Sequence, residues 1–199
     1  MFRPIALILL GLSLVVFVGS RFYPTIGRIH VLGTAHYSEA EILQLADIGV
    51  GQPLLWVTTW RLERLERDPW IRDVRVTRQL PGTLYIEVNE RRVLLVKGAS
   101  GLAEDGTVLP NVTPRDTRGA VPLRGWGRDR SREALELYRL VADRRPQVVS
   151  YAPSGFTVSF AGSSLYTPNV ASLKTHWSAF LSQRVGDVAV YPWGVSVQQ

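Results

Sequence analysis

The sequence predicts an α+β chain in three parts: an N-terminal transmembrane helix, a small strand–helix–helix–strand–strand module, and a β-rich domain with two helices. Three observations carry this. An uncharged apolar run, Pro4–Ser20, stands between Arg3 and Arg21. A helix-start signature is followed by two alternating apolar–polar stretches on either side of Pro81-Gly82. Beyond Arg92, short alternating runs recur between glycine and proline turns, the pattern of successive strands.

As a helix the run Pro4–Ser20 would measure roughly 26 Å at about 1.5 Å per residue. That is just enough for a hydrocarbon core of about 30 Å if the flanking arginines snorkel. A cleaved signal peptide is the competing reading, since Val18 and Ser20 are small enough for a cleavage site. The uncleaved anchor is preferred because the run exceeds a usual signal core and lacks an A-x-A ending. With residues 1–3 before the span, the chain from residue 22 onward is expected outside the cytoplasm, and residues 21–27 read as a linker.

The module is expected over residues 28–92. "GRIHVLGT" alternates Ile29 and Val31 and reads as a strand stopped at Gly33. In "SEAEILQLADIG", Ser38 and Glu41 are spaced as a capping box. Ile42, Leu45 and Ala46 would then share a helix face, and Gly49 would mark the stop. A second helix is expected with Thr58 or Thr59 as cap and Leu62 and Leu65 inward. It would end at Asp68-Pro69, because a residue before proline avoids the helical region. The hairpin alternates Val74 and Val76 on one strand with Leu84, Ile86 and Val88 on the other. Pro81-Gly82 suits the centre of a type II turn. Each strand has one apolar face, which the two helices would cover.

From residue 93 to 199 the pattern is mostly strand-like. "RVLLVKGASG" is a strand running into a turn, and Asp105-Gly106 marks a tight hairpin. Asn111 to Arg130 reads as a loop. "SREALELYRLVADRR" is an amphipathic helix with Ala134, Leu137, Tyr138 and Val141 inward. "YAPSGFTVSFAGSSLY" reads as a hairpin. "TPNVASLKTHWSAFL" reads as a helix capped by Thr167 with Pro168 at its first helical position. Val170, Leu173, Trp177 and Phe180 would be its buried face. The tail "DVAVYPWGVSVQQ" reads as one final strand. Val188 and Val190 are out of phase with Val195 and Val197, and a bulge at Pro192-Trp193-Gly194 would restore the register.

Composition excludes more than it assigns. Of 199 residues 46% are hydrophobic and 20% charged, a globular balance. Cysteine is absent, which removes disulfides, thiolate metal sites and a cysteine nucleophile. The net charge of +6 is nearly all arginine, with Lys97 and Lys174 as the lysines. It is interleaved with 17 acids, as expected of a solvated surface rather than a nucleic-acid site. His30, His36 and His176 lie in no metal-ligand spacing, and His30 is expected at a surface strand position. No serine sits in a nucleophile-elbow sequence. "GASGLAEDG" lacks the lysine of a phosphate cradle. No catalytic residue, metal or cofactor is therefore expected.

The stretches "IHVLGTAHYSEAEI", "GQPLLWVTT" and "PWIRDVRVTRQLPGTLYIEVNERR" resemble the POTRA module of the FtsQ/DivIB bacterial cell-division proteins. The residues that carry the resemblance are Gly33, Pro69, Trp70, Arg78, Pro81, Gly82, Glu90 and Arg91. Val93 departs from the family's usual proline, and Met1-Phe2-Arg3 is shorter than most members' cytoplasmic tails. The resemblance implies a single-pass inner-membrane protein with its N-terminus inside, a POTRA domain and a β domain outside, and a place at the division septum. It implies a non-enzymatic scaffold linking early division proteins to FtsL, FtsB and septal wall synthesis. In such proteins the last strand of the β domain docks the bitopic partner FtsB. Tyr191, Trp193, Gly194 and Val195 fall where that contact would lie, on a proline-bearing edge strand open to strand addition. Other readings are a POTRA-type docking or chaperone protein of outer-membrane or surface-protein assembly, and an exported enzyme using the second domain.

Overall fold

The computed structural model describes residues 3–20, 22–57, 59–182 and 186–198. The chain divides into two compact units, Met1–Arg91 and Arg92–Gln199.

The first unit opens with helix α1 (Arg3–Ser20), whose apolar side chains from Ile8 to Val18 are exposed. The expected span is not confirmed: among the described residues no helix is long and apolar enough to cross a membrane. The expected linker is folded instead. Pro24 is buried, Ile26 lies in the core, and the backbone from Pro24 to Ile26 bonds to the segment from Gln52 to Leu54.

Strand β1 (Arg28–Leu32), helices α2 (Glu39–Ala46) and α3 (Thr59–Glu66), and strands β2 (Ile71–Gln79) and β3 (Thr83–Glu90) follow. The sheet order is β1-β3-β2, with β1 parallel and β2 antiparallel to the central β3. The alternation in β3 buries Leu84, Ile86 and Val88 against Ile42 and Ala46 of α2 and Leu65 of α3. Each such side chain contributes roughly 1.5–3 kcal/mol relative to leaving it in water. His30 is exposed and stacks on Tyr85 across the strands.

The capping box is present, since Glu41 N–H donates to Ser38 Oγ and the Glu41 carboxylate accepts from Ser38 N–H. Three local expectations are corrected. Leu45 is exposed and Leu43 takes its place against the core. At 100° per residue, positions 42, 43 and 46 cluster on one side and 45 turns away. Asp47, in the left-handed region at φ 53°, ends α2 in place of Gly49. At the hairpin, Leu80, Pro81 and Gly82 all lie between the paired residues Gln79 and Thr83. Gly82 is not at the positive φ that a type II turn needs. Glycine is required there for close approach, because a Cβ would lie 2.6 Å from the Thr25 carbonyl oxygen. The Gly82 carbonyl meanwhile accepts from Gly27 and Arg28 N–H at 2.7 and 3.1 Å. The expected cap at Thr58 or at the Thr59 side chain lies outside the described residues.

Among the described residues the second unit is one nine-stranded sheet. Its strands are β4 (Val93–Lys97), β5 (Ser100–Ala103), β6 (Val108–Leu109), β7 (Val121–Gly125), β8 (Val148–Ala152), β9 (Gly155–Phe160), β10 (Ser163–Thr167), β11 (Asp187–Tyr191) and β12 (Gly194–Gln198). They lie in the order β12-β11-β10-β9-β8-β7-β4-β5-β6. Helices α4 (Ser131–Val141), α5 (Val170–Thr175) and α6 (Trp177–Ser182) contribute Ala134, Leu137, Val141, Leu173 and Phe180 to its core. These meet Val149, Phe156, Val158, Leu165 and Val190 from the strands. Tyr138 is half-buried and Leu135 is fully buried on α4.

Here too the structure departs from expectation. Strand β7 lies inside the expected loop and pairs in parallel with both β4 and β8, with Val121 and Leu123 inward. The expected hairpin at residues 151–166 is three antiparallel strands, β8, β9 and β10. Thr167 ends β10, so Asn169 caps α5 by accepting from Ser172 N–H at 2.8 Å, and the helix breaks at His176 into α5 and α6. The tail is two strands, not one bulged strand. β11 and β12 pair antiparallel around a two-residue Pro192-Trp193 turn, with Tyr191 opposite Gly194.

Candidate partner-binding edge

The residues that carry the POTRA resemblance are structural in the first unit. Glu90, at the end of β3, points its carboxylate at the loop between β1 and α2. It accepts from the backbone N–H groups of Ala35 at 2.7 Å, His36, and Tyr37 at 3.2 Å. A carboxylate facing successive amides neutralises a loop that no strand or helix satisfies. Trp70 is buried and stacks on His36 with centroids 3.6 Å apart. Asp68 accepts from Trp70 N–H at 2.8 Å and from the Tyr37 hydroxyl at 2.9 Å. Burial and the adjacent Asp68 carboxylate push the Tyr37 hydroxyl far above its usual range.

Arg91 donates to the Pro69 and Ile71 carbonyls, and Arg78 to the Val57 carbonyl. Gly33 has φ +85°, and a Cβ on it would lie 2.1 Å from the Val88 carbonyl oxygen. Pro81 and Gly82 make the hairpin loop described above. Sequence reading found these positions only by resemblance. The Glu90 contact spans more than fifty positions of chain, and no local pattern announces it.

The second unit places Tyr191, Trp193, Gly194 and Val195 together on the β11–β12 hairpin. Tyr191 and Trp193 stack face to face with centroids 5.0 Å apart and planes 8° off parallel. Trp193 is 80% exposed. Tyr166 of β10 continues the row, 5.8 Å from Tyr191. His176 Nε2 meets the Pro192 carbonyl oxygen at 3.1 Å and ties the turn to the break between α5 and α6. Val195 is half-buried against the core, while Gly194 closes the hairpin opposite Tyr191.

β12 is the edge of the sheet, and among the described residues no strand lies on its outer side. The turn carbonyl of Tyr191 faces the Gly194 N–H, and pairs alternate from there. The N–H and C=O groups of Val195 and Val197 therefore point outward, available to a further strand.

The open face of this sheet also has a hollow of about 240 Å³, lined by Arg124, Trp126, Ser150, Thr157 and Tyr166 among others. Its lining includes no histidine or carboxylate. A polar cluster adjoins it and shares Tyr151 with it. Lys97 Nζ donates to Asp129 Oδ1 at 2.8 Å, as do Ser131 Oγ at 2.6 Å and the Tyr151 hydroxyl at 2.9 Å. These bonds, that of Lys97 first, hold the Asp129 carboxyl far below its usual range. The cluster pins the start of α4 to β4 and β8. Among the described residues no group of three or more His, Cys, Asp or Glu side chains is placed to hold a metal.

The family model for the POTRA domain, FtsQ-type, matches residues 25–91, the sheet of the first unit with helices α2 and α3. The comparisons support the FtsQ/DivIB family for this chain. It is 32% identical over 129 residues to cell division protein FtsQ of Myxococcus fulvus, covering 57% of this chain and 45% of that one. It is 35% identical over 130 residues to FtsQ of Streptomyces collinus, covering 55% and 49%. With FtsQ of Bradyrhizobium diazoefficiens the identity is 28% over 138 residues, 67% and 40% of the two chains. The matches thus span 40–49% of the length of these FtsQ relatives.

Proposed function

We propose that this chain is a non-enzymatic scaffold of the bacterial division machinery. It acts at the septum, anchored in the cytoplasmic membrane by α1, with its N-terminus inside and both folded units outside. It links early division proteins to FtsB- and FtsL-like bitopic partners and to septal wall synthesis. Supporting the anchor are the uncharged run Pro4–Ser20 and the exposed apolar side chains along α1. Other membrane division proteins would meet the POTRA unit.

The observation that carries the scaffold reading is β12, an open sheet edge with an exposed Trp193 stacked on half-buried Tyr191 at its entrance. Backbone pairing would supply affinity, and the aromatic pair would be its energetic centre. The test is capture of the extracytoplasmic segments of the organism's own FtsB- and FtsL-like proteins by the full chain in detergent. Val197→Pro removes an outward N–H while leaving the β11 pairing intact. Trp193→Ala removes an exposed ring. Each is expected to weaken capture about tenfold, equivalent to about 1.4 kcal/mol, with the melting temperature unchanged. Undiminished capture by both variants would remove β12 as the docking edge.

A further inference from the structure

The junction between α1 and the first unit is built as a clamp rather than a tether. Phe22 and Tyr23 N–H both donate to the Gly19 carbonyl, at 3.0 and 3.1 Å. Leu54 N–H donates to the Pro24 carbonyl at 2.8 Å, and Ile26 N–H to the Gln52 carbonyl at 2.8 Å. The exit from α1 therefore runs alongside the short helical turn Leu54–Trp56. The Phe17 ring of α1 meets the Trp56 ring edge-on, centroids 5.3 Å apart at 79°. Trp56 Nε1–H donates to Ser20 Oγ at 3.3 Å.

Around this clamp three large side chains face outward with nothing over them: Phe22 at 75%, Tyr23 at 72% and Leu55 at 51% exposure. They lie just beyond the exposed apolar surface of α1 from Ile8 to Val18, past Gly19, Ser20 and Arg21. Aromatic rings with one polar end are most stable where hydrocarbon meets water. An apolar rod ending in Phe, Tyr and Trp matches that boundary, and a water-filled surroundings does not.

We propose that Phe22, Tyr23, Leu55 and Trp56 form an interfacial collar that seats the POTRA unit on the headgroup layer of the bilayer. This rests on the reading of α1 as a membrane anchor. The clamp fixes the angle between α1 and the unit, and the collar fixes the unit's height above the lipid. The edges of its sheet are then presented to partners in one orientation instead of swinging on a linker.

The chain has no cysteine, so single cysteines can be introduced without background. Leu10→Cys, Phe22→Cys, Leu55→Cys and Glu87→Cys would each carry a nitroxide in the full chain, reconstituted into phosphatidylethanolamine–phosphatidylglycerol nanodiscs. All four positions are exposed, so none tests the fold. Glu87 pairs with Leu32 at the end of β1 farthest along the chain from α1. Collisional accessibility to oxygen and to a water-soluble nickel chelate is then read by power saturation.

The expected result is loss of nickel accessibility at Phe22 and Leu55 with oxygen accessibility kept, full nickel accessibility at Glu87, and deep burial at Leu10. Trp56→Ala is expected to return nickel accessibility to the Leu55 probe while leaving Leu10 unchanged. Leu10 in lipid with Phe22 and Leu55 in water would overturn the collar and leave the anchor standing. Leu10 in water would overturn both. Phe22 and Leu55 shielded from both reagents would mean a protein partner, not lipid, covers them, and would also overturn the collar.

Discussion

Glu90→Ala separates a structural role for the POTRA signature from a partner-contact role. Three backbone N–H groups, of Ala35, His36 and Tyr37, lose their acceptor in this variant. A hydrogen bond to a charged group contributes about 1.5–3 kcal/mol net where water is excluded. The Ala35 bond is exposed and the other two are partly buried, so water recovers part of the loss. A total of about 3 kcal/mol is the reasoned figure. For a unit of this size each kcal/mol moves the midpoint by roughly 4–8 °C, so the first unit should melt about 12–24 °C lower.

The assay is differential scanning calorimetry of the full chain, following the first unit's transition. Glu90→Gln keeps a neutral acceptor oxygen and should lose about half as much. A midpoint unchanged by Glu90→Ala, with partner capture abolished, would refute the argument. Glu90 would then be a contact residue that happens to lie beside three amides.

Two further perturbations test other parts of the fold. Gly33→Ala forces a Cβ to within 2.1 Å of the Val88 carbonyl oxygen at φ +85°. Left-handed backbone costs about 1–2 kcal/mol and overpacking about 1–3 kcal/mol more, so urea unfolding should shift by about 3 kcal/mol, and a neutral result would contradict the β1–β3 approach. In the second unit, Asp129 has its carboxyl held below its ordinary 3.8, first by the bond from Lys97 and then by Ser131 and Tyr151. A carboxyl with a depressed folded pKa stabilises only when ionised, so its contribution is present above the unfolded 3.8 and is lost progressively as pH falls from there through the lower folded value. Melting of the wild type should therefore steepen against pH below 3.8 more than that of Asp129→Asn. The difference should be small because the side chain is 68% exposed. Parallel curves would show the cluster to be energetically silent.

What could be read from the sequence is what is written within a few residues. The Ser38–Glu41 box was legible because both partners lie within one helical turn. The β3 alternation was legible because one face alone is buried. β7 was not, since Pro122 and Arg124 make it look like loop, and it becomes a strand only between β4 and β8. Glycine is the default left-handed cap, so the sequence points to Gly49 as the stop of α2. Here Asp47 accepts that conformation, and its N–H reaches the Leu43 and Gln44 carbonyls.

The end of the chain shows why the candidate site itself was only half legible. Between Val190 and Val195 the inward phase shifts, and two devices produce such a shift: one strand with a bulge, or two strands with a two-residue turn. Proline suits the first central position of a turn as well as it suits a break in an edge strand, so Pro192 does not discriminate. The decision comes from what lies alongside. β11 already has β10 on one side, through Leu165 opposite Val188 and Tyr166 opposite Ala189. Its other side is filled when the chain folds back, setting Val195 opposite Val190 and Val197 opposite Val188. A bulged single strand would have left β11 as the edge and carried the last valines beyond the core. Turning instead keeps Val195 half-buried and moves the open edge out by one strand. It also lifts Trp193 onto the turn, where its ring stacks on Tyr191 while most of its surface stays in water. The same residues named from the sequence are therefore present, but the edge they flank is Gly194–Gln198, and it is the outward amides of Val195 and Val197 that a partner strand would have to meet.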